Sequence, residues 1–349
     1  MTRSSVRRFQ AIAWLVFALG LAGCRNPAAV SSRTSGATNE ASPAASAHYT
    51  LNLPEPPEPA VAIPSGPAKR PYRIAVSLLT RDDDFYITLE KGLREEAAKE
   101  GVQLTVESGD KDLNKQINQV QNFVAQKYDA IILCPVDSQG VISAVALANN
   151  AHIPVFTADI TSNGGKIVSY IASDNVQGGR LVGEYAAKNL LHGKGEVAIL
   201  DLSTVTSVQD RVRGFKQAIA QYPGIKIVAD QDVPGAKREN ALPVATDVLT
   251  AHPHINLIFG INDPVALGAL SALQQLNNKT VMVVGFDAGP EAQNYIASGS
   301  QLKAEAIQYP HLIGKTAIDA VVKVLNGGTV PPKIAIPTGL VTQASFIKK

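Results

Sequence analysis

The chain has 349 residues, 45% of them hydrophobic, with 32 basic residues against 30 acidic ones for a formal charge of +2. That length leaves room for more than one packed core, and the absence of a basic patch interleaved with aromatics speaks against a nucleic-acid partner. Two cysteines, Cys24 and Cys134, leave no disulfide framework.

Arg3, Arg7 and Arg8 precede an apolar run at residues 11–19, which is short for a membrane span and reads as an export signal. The run closes in Leu21-Ala22-Gly23-Cys24, which resembles the lipobox of bacterial lipoproteins. That resemblance implies a signal over 1–23, lipidation at Cys24, and a protein anchored to a membrane without spanning it. The alternative is an ordinary secretory signal with a chance cysteine. Without the three signal arginines, 29 basic residues face 30 acidic ones, a balance of −1.

Residues 24–71 are rich in Ala, Ser, Thr and Pro and culminate in Pro54-Glu55-Pro56-Pro57-Glu58-Pro59. Without apolar periodicity they read as a tether, reaching roughly 35–40 Å as a coil.

From Tyr72 onward short apolar runs alternate with amphipathic stretches. Residues 74–79, 103–106, 130–133 and 155–158 read as buried parallel strands, with helices over 85–99, 113–126 and 140–149. The alternation then restarts, with strands expected at 196–200, 226–229, 257–260, 281–286 and 302–307. Two such sets over about 280 residues predict two doubly wound α/β lobes. Four strands stop on polar residues: Asp159, Asn262 with Asp263, Asp287, and Gln308. Ligands of open α/β sheets sit beyond the carboxyl ends of the strands, so these positions would converge on a cleft. Carboxylates and amides suit hydroxyl groups, which both donate and accept. No G-x-S-x-G, H-E-x-x-H, C-x-x-C, Walker or G-x-G-x-x-G motif argues for catalysis, so neither an enzyme nor a cofactor is expected.

Four stretches in order carry a family resemblance: Ile171 to Gly179 (IASDNVQGG), Leu249 to Pro253 (LTAHP), Asn262-Asp263 with the following Ala266 to Leu270, and Val283 to Asp287 (VVGFD). Together they resemble the ribose/galactose-type periplasmic binding proteins, the sugar-capturing components of ABC importers. The resemblance covers Tyr72 to Lys349. It implies two Rossmann-like lobes joined by three crossings near Ser173, Gln308 and Pro337. The first lobe would hold 72–173 plus 309–337, the second 174–308 plus 338–349.

Carried over position by position, the resemblance makes Phe85 and Tyr86 an aromatic pair against the sugar. Asp159, Asn262, Phe286 with Asp287, and the hinge amide Gln308 complete the ring. Asp82, Asp83 and Asp84 stand where a ribose binder shows Asn-Asn-Pro in a shorter loop, and they contact the ligand or cap the next helix. Cys134 takes the place of an asparagine, although a buried strand residue is the plainer reading. Ile160 and Gln209 replace two sugar-contacting arginines, an aromatic is missing near Ala236, and Arg211 matches a structural position. The strand-end aspartates could be turn residues, and the aromatics core residues. The expectation is a monomer that binds a neutral monosaccharide or polyol, without metal. It would pass its ligand to an ABC permease with a cytoplasmic ATPase. Sensing through a chemoreceptor, or binding a nucleoside, is the alternative.

Overall fold

The computed structural model describes residues 49–52, 63 and 66–348. The signal stretch and Cys24 lie outside the described residues. Among those described, no helix is long and apolar enough to cross a membrane.

A short strand β1 (Tyr49–Leu51) is followed by β2 (Arg73–Leu78), α1 (Asp84–Glu100), β3 (Gln103–Ser108), α2 (Leu113–Ala125), β4 (Ala130–Leu133), α3 (Ile142–Asn150), β5 (Val155–Ala158) and β6 (Ile167–Ser173). The alternation continues through α4 (Asn175–Tyr185), β7 (Lys194–Asp201), α5 (Thr206–Ile219), β8 (Gly224–Asp232), α6 (Arg238–Ala251), β9 (Leu257–Gly260) and α7 (Asp263–Gln275). It closes with β10 (Met282–Asp287), α8 (Pro290–Ala297), β11 (Leu302–Ile307), α9 (Pro310–Leu325), β12 (Lys333–Ile336), β13 (Gly339–Thr342) and β14 (Phe346–Lys348).

Two six-stranded sheets result. The first runs β12-β6-β5-β4-β2-β3 with parallel neighbours throughout, and the second runs β13-β11-β10-β9-β7-β8 with only β13 antiparallel to its neighbour. This is the two-lobed α/β architecture expected from the alternation. Central strands such as β4 and β9 are buried along their whole length, as parallel strands covered by helices on both faces must be. In each sheet the first strand of the lobe, β2 or β7, has neighbours on both sides that follow it in sequence, so the order reverses there. The crevice at such a reversal is where α/β sheets take ligands. The chain passes between lobes three times: from β6 into α4, from β11 into α9, and from β12 into β13.

The expected tether is docked at its described points. Thr50 of β1 pairs with Ile347 of β14, and Leu51 packs against the second lobe's core. Ile63 is buried in the first lobe's core, the Arg70 guanidinium reaches Asp129 at 2.6 Å, and the Ala68 amide donates to the Glu100 carbonyl. Single apolar residues spaced among prolines leave no periodic signal, which is why the sequence shows none of this.

Candidate ligand-binding site

The carboxyl ends of both sheets face one cleft. Leu79, Asp83, Phe85, Tyr86, Asp159 and Ile160 line it from the first lobe, and Arg211, Asn262 and Asp287 from the second, with Gln308 at a crossing. The cavity measures about 70 Å³ and shares Asp83 and Lys111 with a neighbouring vestibule of about 320 Å³. The lobes touch across the cleft. The Ser138 amide donates to the Thr204 carbonyl at 3.1 Å, and the Thr206 amide donates to Ser138 Oγ at 3.1 Å. Thr161 N–H donates to Thr206 Oγ1 at 3.1 Å, and Lys111 Nζ to the Gly235 carbonyl at 3.2 Å. The molecule is therefore in a closed form.

Asp83 both caps and lines. Its carboxylate accepts from the Phe85 amide at 2.9 Å as the N-cap of α1, and the same side chain borders cavity and vestibule. Asp84 is exposed in the first turn and faces the vestibule, where it complements the positive end of the helix. That turn sets Phe85 against Tyr86 edge-on, with ring centroids 5.1 Å apart.

Asp159 follows β5 at φ 65°, a left-handed conformation that aspartate adopts more readily than most residues. Tyr86 Oη donates to Asp159 Oδ2 at 2.5 Å, while Oδ1 is buried without a partner. Burial pushes the Asp159 carboxyl up to about 6, although Arg211 nearby opposes the shift. Asp287, at φ 104°, accepts from Gln308 Nε2 at 2.6 Å and from the Asp263 amide at 3.2 Å. Burial also holds the Asp287 carboxyl well above its ordinary value, against the pull of Arg211. Gln308 Oε1 is buried and bare. Asn262 caps α7, accepting from the Val265 amide at 3.0 Å, so its amide nitrogen is available to the cleft.

Three residues expected at the ligand do not line the cleft. Cys134 is fully buried in the first lobe's core; its carbonyl accepts from Gln116 Nε2, and burial pushes its thiol well above the ordinary value. Gln209 is exposed on the outer face of α5, donating to the Ser203 carbonyl at 2.7 Å. Phe286 is fully buried beneath Arg211, whose guanidinium carbon lies 4.1 Å from its ring centroid. Strand alternation explains Phe286, since its neighbour Asp287 takes the cleft-facing position.

Arg211, expected at a structural position, lines the cleft. Two residues along a helix turn a side chain about 200°, so Gln209 and Arg211 occupy opposite faces. Arg211 Nε donates to Asn175 Oδ1 and Nη1 to the Ile261 carbonyl, each at 2.8 Å, and Nη1 stands 3.6 Å from Asp287 Oδ1. Its backbone is held where α4 crosses α5 closely: a Cβ on Gly179 would sit 2.0 Å from the Arg211 carbonyl oxygen. Arg211 thus brings a buried cation to the cleft lining.

Behind Asp287 lies a second carboxyl pair that the sequence pattern does not single out. Asp263 and Glu305 hydrogen-bond through their side chains, and Glu305 is fully buried on β11. Burial and the neighbouring acids push Glu305 well above its ordinary value and Asp263 up to about 6. The remaining oxygens accept from the Ala288 amide at 2.9 Å and the Gly289 amide at 2.8 Å. Lys111, also unforeseen, sits at the cavity mouth on left-handed backbone (φ 60°).

The model of the periplasmic binding protein domain matches residues 74–329. The chain belongs to the periplasmic binding protein family. Within it the chain is of the ribose/galactose type, whose members are transport solute-binding proteins and not enzymes. Membership implies an extracytoplasmic location. The ribose import binding protein of Escherichia coli is 35% identical over 270 residues, 77% of this chain and 90% of that protein. The Bacillus subtilis protein of the same description is 33% identical over 83% of this chain and 93% of its own length. Among solved structures, a solute-binding protein from Actinobacillus succinogenes with bound D-allose has a TM-score of 0.72 at 31% identity, covering 78% of this chain and 98% of that one. The Caulobacter myo-inositol binding protein, bound to myo-inositol, has a TM-score of 0.73 at 28% identity, covering 80% and 95%.

Proposed function

We propose that this protein captures a monosaccharide or related polyol between its lobes and delivers it to an ABC importer. The observation that carries the reading is the bare buried acceptors, Asp159 Oδ1 and Gln308 Oε1, in a small cavity flanked by Phe85 and Tyr86. A buried acceptor without a donor costs about 1–3 kcal/mol, which a ligand hydroxyl relieves. Asp83, Asp287 and Asn262 orient further hydroxyls, and the Arg211 guanidinium offsets the carboxylates. Ligand that contacts both lobes stabilises the closed form, which a permease would recognise. The sugar and polyol ligands of the relatives support this class. Acylation at Cys24 would hold the protein at the membrane, and the partners would be a permease with its cytoplasmic ATPase.

The test is a thermal-shift screen of the purified protein against pentoses, hexoses, cyclic polyols, nucleosides and sugar acids. Ligand at a thousand times its Kd adds roughly 4 kcal/mol of stability. A response confined to nucleosides or sugar acids would overturn the ligand class.

A further inference from the structure

Far from the cleft, the last turn of α1 meets α9 in a group of carboxylates. Glu96 and Glu100, one helical turn apart, and Asp319 on α9 bring carboxylate oxygens within 4.8 Å of one another. Glu96 is 1% and Glu100 6% exposed. One turn earlier on α1 the two helices pack closely at Gly92, where a Cβ would lie 2.1 Å from the His311 carbonyl oxygen.

The available counter-charge is unevenly placed. Lys99 bonds Glu96 directly, and Lys315 Nζ reaches the other Glu96 oxygen at 3.4 Å. Glu100 receives only a 3.9 Å contact from Lys99, and its Oε2 is buried with no hydrogen-bond partner. Glu100 is also the last residue of α1, where the helix presents its negative end and a further negative charge is unfavourable. Glu100, a buried acid with an orphaned oxygen, stands with two other carboxylates at a helix C-terminus, where a cation would satisfy it.

We propose that Glu96, Glu100 and Asp319 form a binding site for a hard divalent cation, calcium in the first instance, clamping α1 to α9. The donors are all oxygen, which suits calcium or magnesium and not softer metals. Three carboxylates supply half or more of a calcium shell when one binds through both oxygens, and water completes it. Lys99, with its side chain 68% exposed, swings into solvent as the ion enters. This role is structural and independent of the sugar cleft.

The experiment uses chelator-treated full-length protein, calcium chloride and magnesium chloride, with thermal melting and titration calorimetry as readouts. Calcium at about a hundred times its Kd should raise the melting midpoint by about 5 °C with one ion bound per chain. Glu100→Gln, which keeps the side chain's shape, should abolish that rise, and Lys99→Met should tighten binding. No calcium binding by the unaltered protein, or the same shift in Glu100→Gln, would overturn the proposal. If Glu100→Gln does not fold, Asp319→Asn with terbium luminescence as a direct binding signal decides instead. An undiminished one-site signal in that variant would also overturn it.

Discussion

The Tyr86 hydroxyl donates to Asp159 Oδ2 across 2.5 Å, tying the start of α1 to the loop after β5 and leaving Asp159 Oδ1 bare in the cleft. One oxygen is spent on holding the carboxylate still; the other is presented to a ligand. Asp159→Ala should therefore weaken ligand binding by about ten- to a hundredfold, the worth of a hydrogen bond to a charged group. Tyr86→Phe keeps the ring but frees the carboxylate, and should cost roughly tenfold. Calorimetric Kd values for the two variants check both figures; an unchanged Kd in Asp159→Ala would remove this residue from the site.

The buried acids make stability depend on pH in a definite sense. Asp159 and Asp263 are raised to about 6, and Asp287 and Glu305 lie well above their ordinary values, chiefly through burial. Between about pH 4 and those raised values the folded protein holds protons that the unfolded chain has released, so stability falls as pH rises. The rise of Asp159 from 3.8 to about 6 corresponds to roughly 3 kcal/mol. The ligand-free protein should melt higher at pH 5 than at pH 8. Melting curves across that range check this, and Asp159→Asn should flatten the slope.

Arg211 and Gln209 separate by the same logic. Arg211→Met removes the guanidinium from Asp287, Asn175 and the Phe286 face, and breaking such a buried cluster costs about 3–5 kcal/mol. Ligand binding should be lost with it. Gln209→Ala, at an exposed position, should change stability by less than about 0.5 kcal/mol and leave the Kd alone. Chemical denaturation with paired binding isotherms distinguishes the two.

That pair also marks where sequence reading stops. Buried strands such as β4 and β9 and the polar residues at strand ends were legible, because in an α/β chain an apolar run closed by Asp, Asn or Gln marks a buried strand leaving the core at its carboxyl end. Asp159, Asn262, Asp287 and Gln308 stand together for that reason, and Asp83, Phe85 and Tyr86, which the family resemblance pointed to, join them from the start of α1. The face of a side chain within an element was not legible. A shift of two residues along α5 exchanges Arg211 for Gln209, and one step along β10 buries Phe286 while exposing Asp287. Cys134, just beyond the last residue of β4, faces the core, as the plainer reading of the sequence had it. The Asp263–Glu305 pair escaped notice because its members lie 42 positions apart and meet only when β11 pairs beside β10.

The closed form itself can be weakened without touching the ligand's contacts. Ser138 Oγ accepts from the Thr206 amide, and Thr206 Oγ1 accepts from the Thr161 amide, so two hydroxyls from opposite lobes hold one edge of the cleft. Each such bond contributes about 0.5–1.5 kcal/mol net. Ser138→Ala with Thr206→Val should therefore shift the ligand-free protein toward the open form and weaken binding by about five- to a hundredfold, mainly through faster release. Because neither side chain lines the cavity, preference among ligands should not change. Small-angle scattering should show a larger radius of gyration without ligand and a return to the closed value at saturation. An unchanged radius and Kd in the double variant would mean that closure rests on the hinge and the ligand alone.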